Sequence, residues 1–401
     1  MRYKELKNIM DKKSNKKKVF DEGNPRIILV DARTMGSRPS GIGIYLFHFL
    51  MEMRKREDLL FHLVTDVAES EEIKALNRAG VPVEVYGTPC FRSASVYKYF
   101  RFVNRKIKEV DPDIFWEPNN LMPMRPASFQ GQVMLTVHDI FPITEPSFYN
   151  RIYRMYFRYN LRRSIRYSQI LLYDSRETRD AVRKFSKESA DKKHTITYVI
   201  IEKLRRRFVK PIEDGDNSLH GEEDAPEQHY FLYVGNMEKR KGVDLLLKAF
   251  VQYVNEGGTK YLKIAGKMRG EDSIKELLDQ AMEKTQRIEY LGYVTEEEKA
   301  DLFENCDCFV FPSRAEGFGM PVIEAMQYDK SAIVSDLGIF KETLEDSVNY
   351  FALGENEEEE IRNLTSAMHE HRIADVETYK GILSKFDGEA CVTRLMAVLE
   401  G

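Results

Sequence analysis

The amino-acid sequence predicts an α/β protein built from two doubly wound, parallel-sheet domains. Three features of the chain carry that prediction. From Arg26 onward, short runs rich in β-branched and aromatic residues alternate with amphipathic helical runs, the pattern of parallel βα units. The alternation stops at 211–228, PIEDGDNSLHGEEDAPEQ, which is too polar to bury a core, and then resumes. Charge divides at the same place: residues 1–210 hold 41 Lys and Arg against 25 Asp and Glu, and the remainder holds 20 against 40. A basic body joined to an acidic one implies different partners, and the basic body suits something anionic.

Taken in order, residues 1–25 form a basic tail without the apolar core of a secretory signal, so the chain is expected to stay in the cytoplasm. No apolar run approaches the ~18 residues of a membrane span. The first domain, 26–210, has strand candidates at 26–31, 60–65, 82–86, 113–117, 132–137, 169–173 and 195–199. After the acidic loop 211–228, the second domain, 229–385, has candidates at 230–234, 260–265, 287–291, 307–311 and 332–335. From 357 the chain reads as helical to its end, the last helix falling within 386–401. Of the 401 residues 42% are hydrophobic, enough for two cores. The four cysteines show no metal-ligand spacing, and Cys306 and Cys308 read as core packing.

Each domain opens with a strand leading into a glycine-bearing turn. In the first, Ser40-Gly41-Ile42-Gly43 precedes an amphipathic helix, where missing Cβ atoms let backbone N–H groups approach a phosphate. A nicotinamide fingerprint is not matched, because the loop is too long and the third glycine is absent. In the second, Gly235 and Asn236 are followed by Arg240, Lys241 and Gly242. An arginine fork and a lysine point charge there suit a diphosphate, or a solvated turn. His138 and Asp139 directly follow strand 132–137, where a histidine donates to a hydroxyl, moves a proton, or caps its own turn. Asp111-Pro112-Asp113 and Asp214-Gly215-Asp216 mimic metal spacings but read as a turn and as part of the acidic loop. In 151–167, RIYRMYFRYNLRRSIRY, Arg151, Arg154, Arg158, Arg162 and Arg166 fall in one helical stripe, with Ile152, Tyr153, Tyr156, Phe157 and Tyr159 in the rest. That suits a membrane surface or an anionic lipid-linked acceptor, with nucleic acid or a plain solvated helix as alternatives.

The densest signal is CDCFVFPSRAEGFGMPVIEAMQYDKSAIVS, 306–335, which reads strand, loop, helix, strand. Gly317 and Gly319 lie in the loop, Pro321 suits a first helical position, and Glu316 and Glu324 stand eight residues apart. At the carboxyl end of a parallel strand, helix N-termini present free N–H groups, so two carboxylates beside a glycine loop suit a ligand that is part phosphate and part polyhydroxyl. The alternative is plain: Glu324 complements the helix macrodipole and Glu316 is an exposed loop residue.

In their order and spacing these segments resemble the retaining glycosyltransferases of family 4. The likeness is carried by EGFGMPVIEAM, similar to the family's E-x(7)-E motif, and by FVFPS, AIVSDLGIFKE, IILVDAR, GIGIY, TVHDIFP, LLYDSRETRDAV, YVGNMEKRKGVDLLLKAF, IAGK and LGYVTEEEKADLF. It implies the GT-B fold, two facing Rossmann-like domains with the C-terminal helix returning to the first. It further implies that Glu324 binds the nucleotide ribose and Glu316 contacts the donor sugar. Backbone amides of Gly317, Phe318, Gly319 and Met320 would hold sugar hydroxyls and diphosphate. By the same likeness Lys241 is the diphosphate lysine, Gly41 and Gly43 the phosphate-closing glycines, His138 the sugar-pocket histidine, and Val294 the point where backbone meets the base. Asn236 stands where many members carry an arginine, leaving Arg240 as its substitute. The resemblance thus implies a metal-independent, retaining transfer of a hexose-type sugar from a nucleotide-diphosphate sugar to a saccharide, lipid-linked or protein acceptor. No cofactor beyond that donor and no nucleic-acid partner are implied, and the place of action is the cytoplasm or the inner face of the membrane. The alternative is a non-catalytic GT-B partner or acceptor-binding subunit.

Overall fold

The computed structural model describes residues 24–37, 39–90, 93–122, 129–201, 229–268 and 272–400. The acidic stretch 211–228 and all of the basic tail before Asn24 lie outside them, as does most of the segment joining the two domains. The chain forms two units. Residues 24–201 together with 385–400 make the first, and 229–384 the second.

The first unit is a seven-stranded sheet of β1 (Arg26–Asp31), β2 (Leu59–Thr65), β3 (Val83–Val85), β4 (Ile114–Glu117), β5 (Gln132–Val137), β6 (Ile170–Tyr173) and β7 (Lys193–Ile196), in the spatial order 3-2-1-4-5-6-7. All pairings are parallel. Its helices are α1 (Gly41–Met53), α2 (Glu71–Arg78), α3 (Ser93–Val110), α4 (Phe141–Thr144), α5 (Arg151–Tyr167) and α6 (Arg176–Phe185). Strands β1, β2 and β4 are almost wholly buried, as parallel strands covered on both faces must be. Tyr99, Phe100 and Val103 of α3 pack on Leu29 and Phe115, while Phe157, Leu161 and Ile165 of α5 pack on Leu135, Val137 and Leu171. Side chains of Ser40, Ser70, Asn150 and Ser175 cap the N-termini of α1, α2, α5 and α6. Strand β7 lies two residues earlier than the apolar pattern predicts. It is the edge strand, its Lys193 and His194 are polar, and the chain leaves extended geometry at Tyr198, φ +56°.

The second unit has six parallel strands, β8 (Tyr230–Val234), β9 (Tyr261–Ala265), β10 (Ile288–Gly292), β11 (Cys308–Phe311), β12 (Ser331–Ser335) and β13 (Asn349–Phe351), in the order 10-9-8-11-12-13. Its helices are α7 (Val243–Asn255), α8 (Asp272–Lys284), α9 (Glu296–Asn305), α10 (Met320–Gln327), α11 (Gly338–Leu344), α12 (Glu357–Glu370) and α13 (Val376–Leu383). Thr295 and Glu298 form a capping box at α9. Strand β13 is not expected from the sequence, because it is a short edge strand opened by the polar Asn349. In both sheets the winding reverses beside the first strand, between β1 and β4 and between β8 and β11, and ligands of open α/β sheets bind at such switch points. The last helix, α14 (Gly388–Glu400), returns to the first unit, where Arg26 Nη1 donates to the Leu399 carbonyl at 2.6 Å and Ile201 N to that of Phe386.

Candidate functional site

At the switch point of the second unit, the loops leaving β8 and β11 are built against each other. Gly242 is left-handed (φ +70°), and a Cβ there would lie 1.8 Å from the Pro312 carbonyl oxygen, so only glycine lets the loops touch. The contact is stitched by hydrogen bonds: Arg314 N to Arg240 O at 2.8 Å and Arg240 Nη1 to Ala315 O at 2.6 Å. Arg314 also reaches Asp244 at 2.7 Å and Glu360 at 3.1 Å, anchoring the loop to α7 and α12. This brings Lys241 onto Glu316. Their side chains are 15% and 7% exposed and form an ion pair, with the ammonium 5.3 Å over the Phe311 ring and Ser313 Oγ donating to the carboxylate at 2.9 Å. Glu316 is therefore not an exposed loop residue. Arg240 belongs to the same group, but its guanidinium braces the Ala315 carbonyl and lies 4.0 Å from Glu316.

The glycine loop then feeds α10. Gly319 takes φ +88° as its N-cap, where a Cβ would meet the Phe340 ring at 2.3 Å, and Pro321 is the second helical residue. Among the described residues the amides of Gly317, Gly319 and Met320 find no acceptor, as expected of a helix N-terminus that can take an anion. Phe318 is buried beside them. Glu324 lies past the first turn, so complementing the macrodipole does not account for it. Its carboxylate, 21% exposed, faces Lys299 of α9 at 3.4 Å. Burial raises its pKa and Lys299 opposes the rise. Asn236 follows β8, half-buried, its carbonyl held by the Tyr233 hydroxyl at 3.0 Å. Val294, also half-buried, sits between β10 and α9, next to Tyr293, whose ring carries Lys267 Nζ at 4.1 Å.

The other expected site residues belong to the first unit. Gly41 and Gly43 are not in a loop but are the first and third residues of α1, with the Ser40 side chain accepting from Gly43 N. They differ: a Cβ on Gly43 would lie 2.3 Å from the Thr34 carbonyl oxygen, whereas one on Gly41 would meet nothing within 4 Å. His138 is 7% exposed, with Nδ1 2.6 Å from Asp174 and Nε2 2.8 Å from the Pro118 carbonyl. Both partners accept, so both ring nitrogens act as donors. Burial disfavours the charge, but Asp174 outweighs it and the pKa is raised. As built, the ring offers no spare hydrogen to a sugar. Asp113 accepts from Ile27 N at 2.8 Å, a structural role. Helix α5 differs from the expected stripe: Phe157 is core, and the outer ridge mixes exposed Ile152, Met155 and Tyr159 with Arg151, Arg158, Arg162 and Arg166.

Several residues went unnoticed in the sequence. Ser313 acts through Glu316 three residues on, and Arg314 and Lys299 act through partners distant along the chain. So does a buried cluster at the first unit's switch point, where Arg33 lies 2.9 Å from Asp31 and 3.5 Å from Glu117, and the Tyr99 hydroxyl donates to Asp31 at 2.7 Å. The signal available was a carboxylate closing each of two apolar runs, Asp31 at the end of β1 and Glu117 at the end of β4.

Residues 217–377 match a family model described as glycosyl transferases group 1. The chain is 35% identical over 123 residues to the serotype-specific mannosyltransferase WbdA of Escherichia coli, a stretch covering 30% of this chain. It thus spans only 15% of the length of that relative. To the O-antigen chain mannosyltransferase B of Escherichia coli it is 26% identical over 326 residues, 77% of this chain and 82% of that one. The crystal structure of Anabaena HepE in complex with UDP and glucose matches with a TM-score of 0.69 at 18% identity, covering 94% of this chain and 99% of that one. The fold is that of the GT-B proteins, with two parallel-sheet Rossmann-like units in one chain.

Proposed function

We propose that this protein is a retaining glycosyltransferase that moves a hexosyl group from a nucleotide-diphosphate sugar to a saccharide or lipid-linked acceptor without a metal ion. The observation that carries the reading is the Lys241–Glu316 pair at the β8/β11 switch point, beside the amides of Gly317, Gly319 and Met320, which find no acceptor among the described residues. A diphosphate arriving there takes the Lys241 ammonium, and the freed Glu316 accepts hydroxyls of the donor sugar. Glu324 accepts the ribose hydroxyls, and backbone around Val294 meets the base. Kinship with proteins named as mannosyltransferases, and a structural neighbour holding UDP and glucose, support the same reading. In the transfer, the acceptor oxygen bonds to the anomeric carbon as the bond from that carbon to the phosphate oxygen breaks. The acceptor proton passes to the departing phosphate on the same face, which preserves the anomeric configuration. Lys241 and the loop amides stabilise the charge developing on the leaving diphosphate, so neither glutamate has to act as a base.

Helix α5 supports a lipid-linked acceptor at the inner face of a membrane. Its ridge exposes Ile152 (83%), Met155 (65%) and Tyr159 (63%) among arginines, the make-up of a helix lying on an anionic surface. Among the described residues no helix is long and apolar enough to cross a membrane. The test is turnover of UDP-, GDP- and dTDP-hexoses by the purified chain, with saccharide and lipid-linked acceptors and with a chelator present. Consumption of one donor, an α product from an α-linked donor and insensitivity to chelation are expected. If no donor is consumed the transferase reading fails, and a β product overturns retention.

A further inference from the structure

The first unit has a cavity of about 320 Å³ at its own switch point, where the ends of β1 and β4 meet α5. Its wall includes Arg33, Asn119, Asn120 and Asp139, and the rings of Tyr153 and Tyr156. The tyrosines form a row. Tyr149 and Tyr153 stack at 5.9 Å, Tyr153 and Tyr156 at 6.4 Å, with interplanar angles of 26° and 29°. Such a row offers a broad flat platform. Opposite chemistry comes from the carboxamides: Asn120 Oδ1 is fixed by the His138 amide at 2.7 Å, and among the described residues its Nδ2 and the Asn119 side chain donate to nothing. Flat apolar rings with a few convergent polar groups are the usual lining of a small-molecule site.

Charge decides what kind of molecule enters. The Arg33 guanidinium, 12% exposed, is flanked by Asp31 at 2.9 Å and Glu117 at 3.5 Å. Whether or not Glu117 is ionised, these three groups sum to zero or to one negative charge. Among the described residues of the wall Asp139 is the only other charged one, and it is acidic. A phosphate would leave water for a site with no net positive charge to meet it. Hydroxyl groups are matched by the free carboxamides and by Asp139, and the C–H face of a sugar ring by the tyrosines. Resting on the transferase reading, we propose that this cavity seats the terminal sugar of the acceptor, and that it selects an uncharged saccharide over a phosphorylated one.

The test is saturation-transfer NMR on the full chain with methyl α-glucoside, α-mannoside and α-galactoside and with the corresponding 6-phosphates. At least one neutral glycoside should bind at millimolar concentration, with its 6-phosphate about tenfold weaker or undetectable. Tyr153→Ala should weaken the neutral ligand about tenfold, equivalent to ~1.4 kcal/mol, while Tyr153→Phe retains it. Asp139→Asn keeps the acceptor for the Phe141 amide and should admit the 6-phosphate better. Equal or tighter binding of the 6-phosphates, no neutral glycoside bound by the wild type, or no loss in Tyr153→Ala each overturns the proposal. Donor hydrolysis without acceptor is read in parallel, so failure of the transferase reading shows separately from failure of this pocket.

Discussion

Replacing Lys241 by alanine tests structure and chemistry together, and the two effects can be separated. Lys241 and Glu316 are 15% and 7% exposed, so removing the cation leaves a nearly buried carboxylate. Breaking a buried pair costs about 3–5 kcal/mol. The lower end applies here, because Ser313 still donates at 2.9 Å and Arg240 stands 4.0 Å away. For a unit of this size, ~3 kcal/mol lowers Tm by roughly 6–12 °C. The double variant Lys241→Met, Glu316→Gln removes both charges while keeping volume, and its thermal stability should return to within ~1 kcal/mol of wild type. Its methionine also retains a favourable contact over the Phe311 ring. Donor turnover should stay down by ~100-fold in both variants, the scale of one lost leaving-group contact. A double variant that is stable and hydrolyses donor at the wild-type rate would falsify the assignment and make the pair a purely structural brace.

Four more outcomes are expected. Gly43→Ala should lower Tm, because the new methyl meets the Thr34 carbonyl and costs ~1–3 kcal/mol; Gly41→Ala should leave Tm unchanged yet lower donor kcat/KM, and a silent Gly41→Ala would remove that glycine from the phosphate site. The raised pKa of His138 means its ion pair with Asp174 stabilises the fold fully below the unfolded value of 6.5 and less as pH rises through the folded one. The Tm gap between wild type and His138→Asn should accordingly be widest at acid pH and narrow toward alkaline pH in a pH series of melts. Lys299→Met removes the cation that opposes burial at Glu324, so the acid limb of donor kcat/KM should move to higher pH; an unmoved limb would detach Glu324 from donor binding. Arg162→Ala should weaken sedimentation with phosphatidylglycerol vesicles roughly fivefold, about 1 kcal/mol, without affecting donor hydrolysis, and wild-type chain that ignores such vesicles would dissociate α5 from the membrane.

The parts of the site that were legible in the sequence are those whose partners are implied by spacing. Lys241 follows the first strand of its domain and Glu316 the fourth, and in a doubly wound sheet those two strands are neighbours, so β8 and β11 place them side by side. Arg314 was not legible, because Asp244 and Glu360 lie on helices 70 and 46 residues away and nothing local marks them as its partners. The same holds for Arg33, whose compensation by Glu117 depends on β1 pairing with β4 across 86 residues of chain. The α5 stripe was half legible: helical period located the arginines, but not that Phe157 faces Leu135 while Met155 faces outward. Short or polar edge strands such as β13 and the first half of β7 lack the apolar run that betrays central strands.

The return of α14 to the first unit sets an order of construction. Leu395, Met396 and Leu399 are buried in a helix that packs on α1 and β7, and Arg26 at the start of β1 is tied to the Leu399 carbonyl 373 residues on. Domains ordinarily complete themselves as they emerge during synthesis. Here the sheet made first waits, with the flank of α1 uncovered, until the second sheet has been translated in full. The second unit can close while the first is still open, and a ribosome stalled anywhere before Gly388 leaves that apolar flank to chaperones.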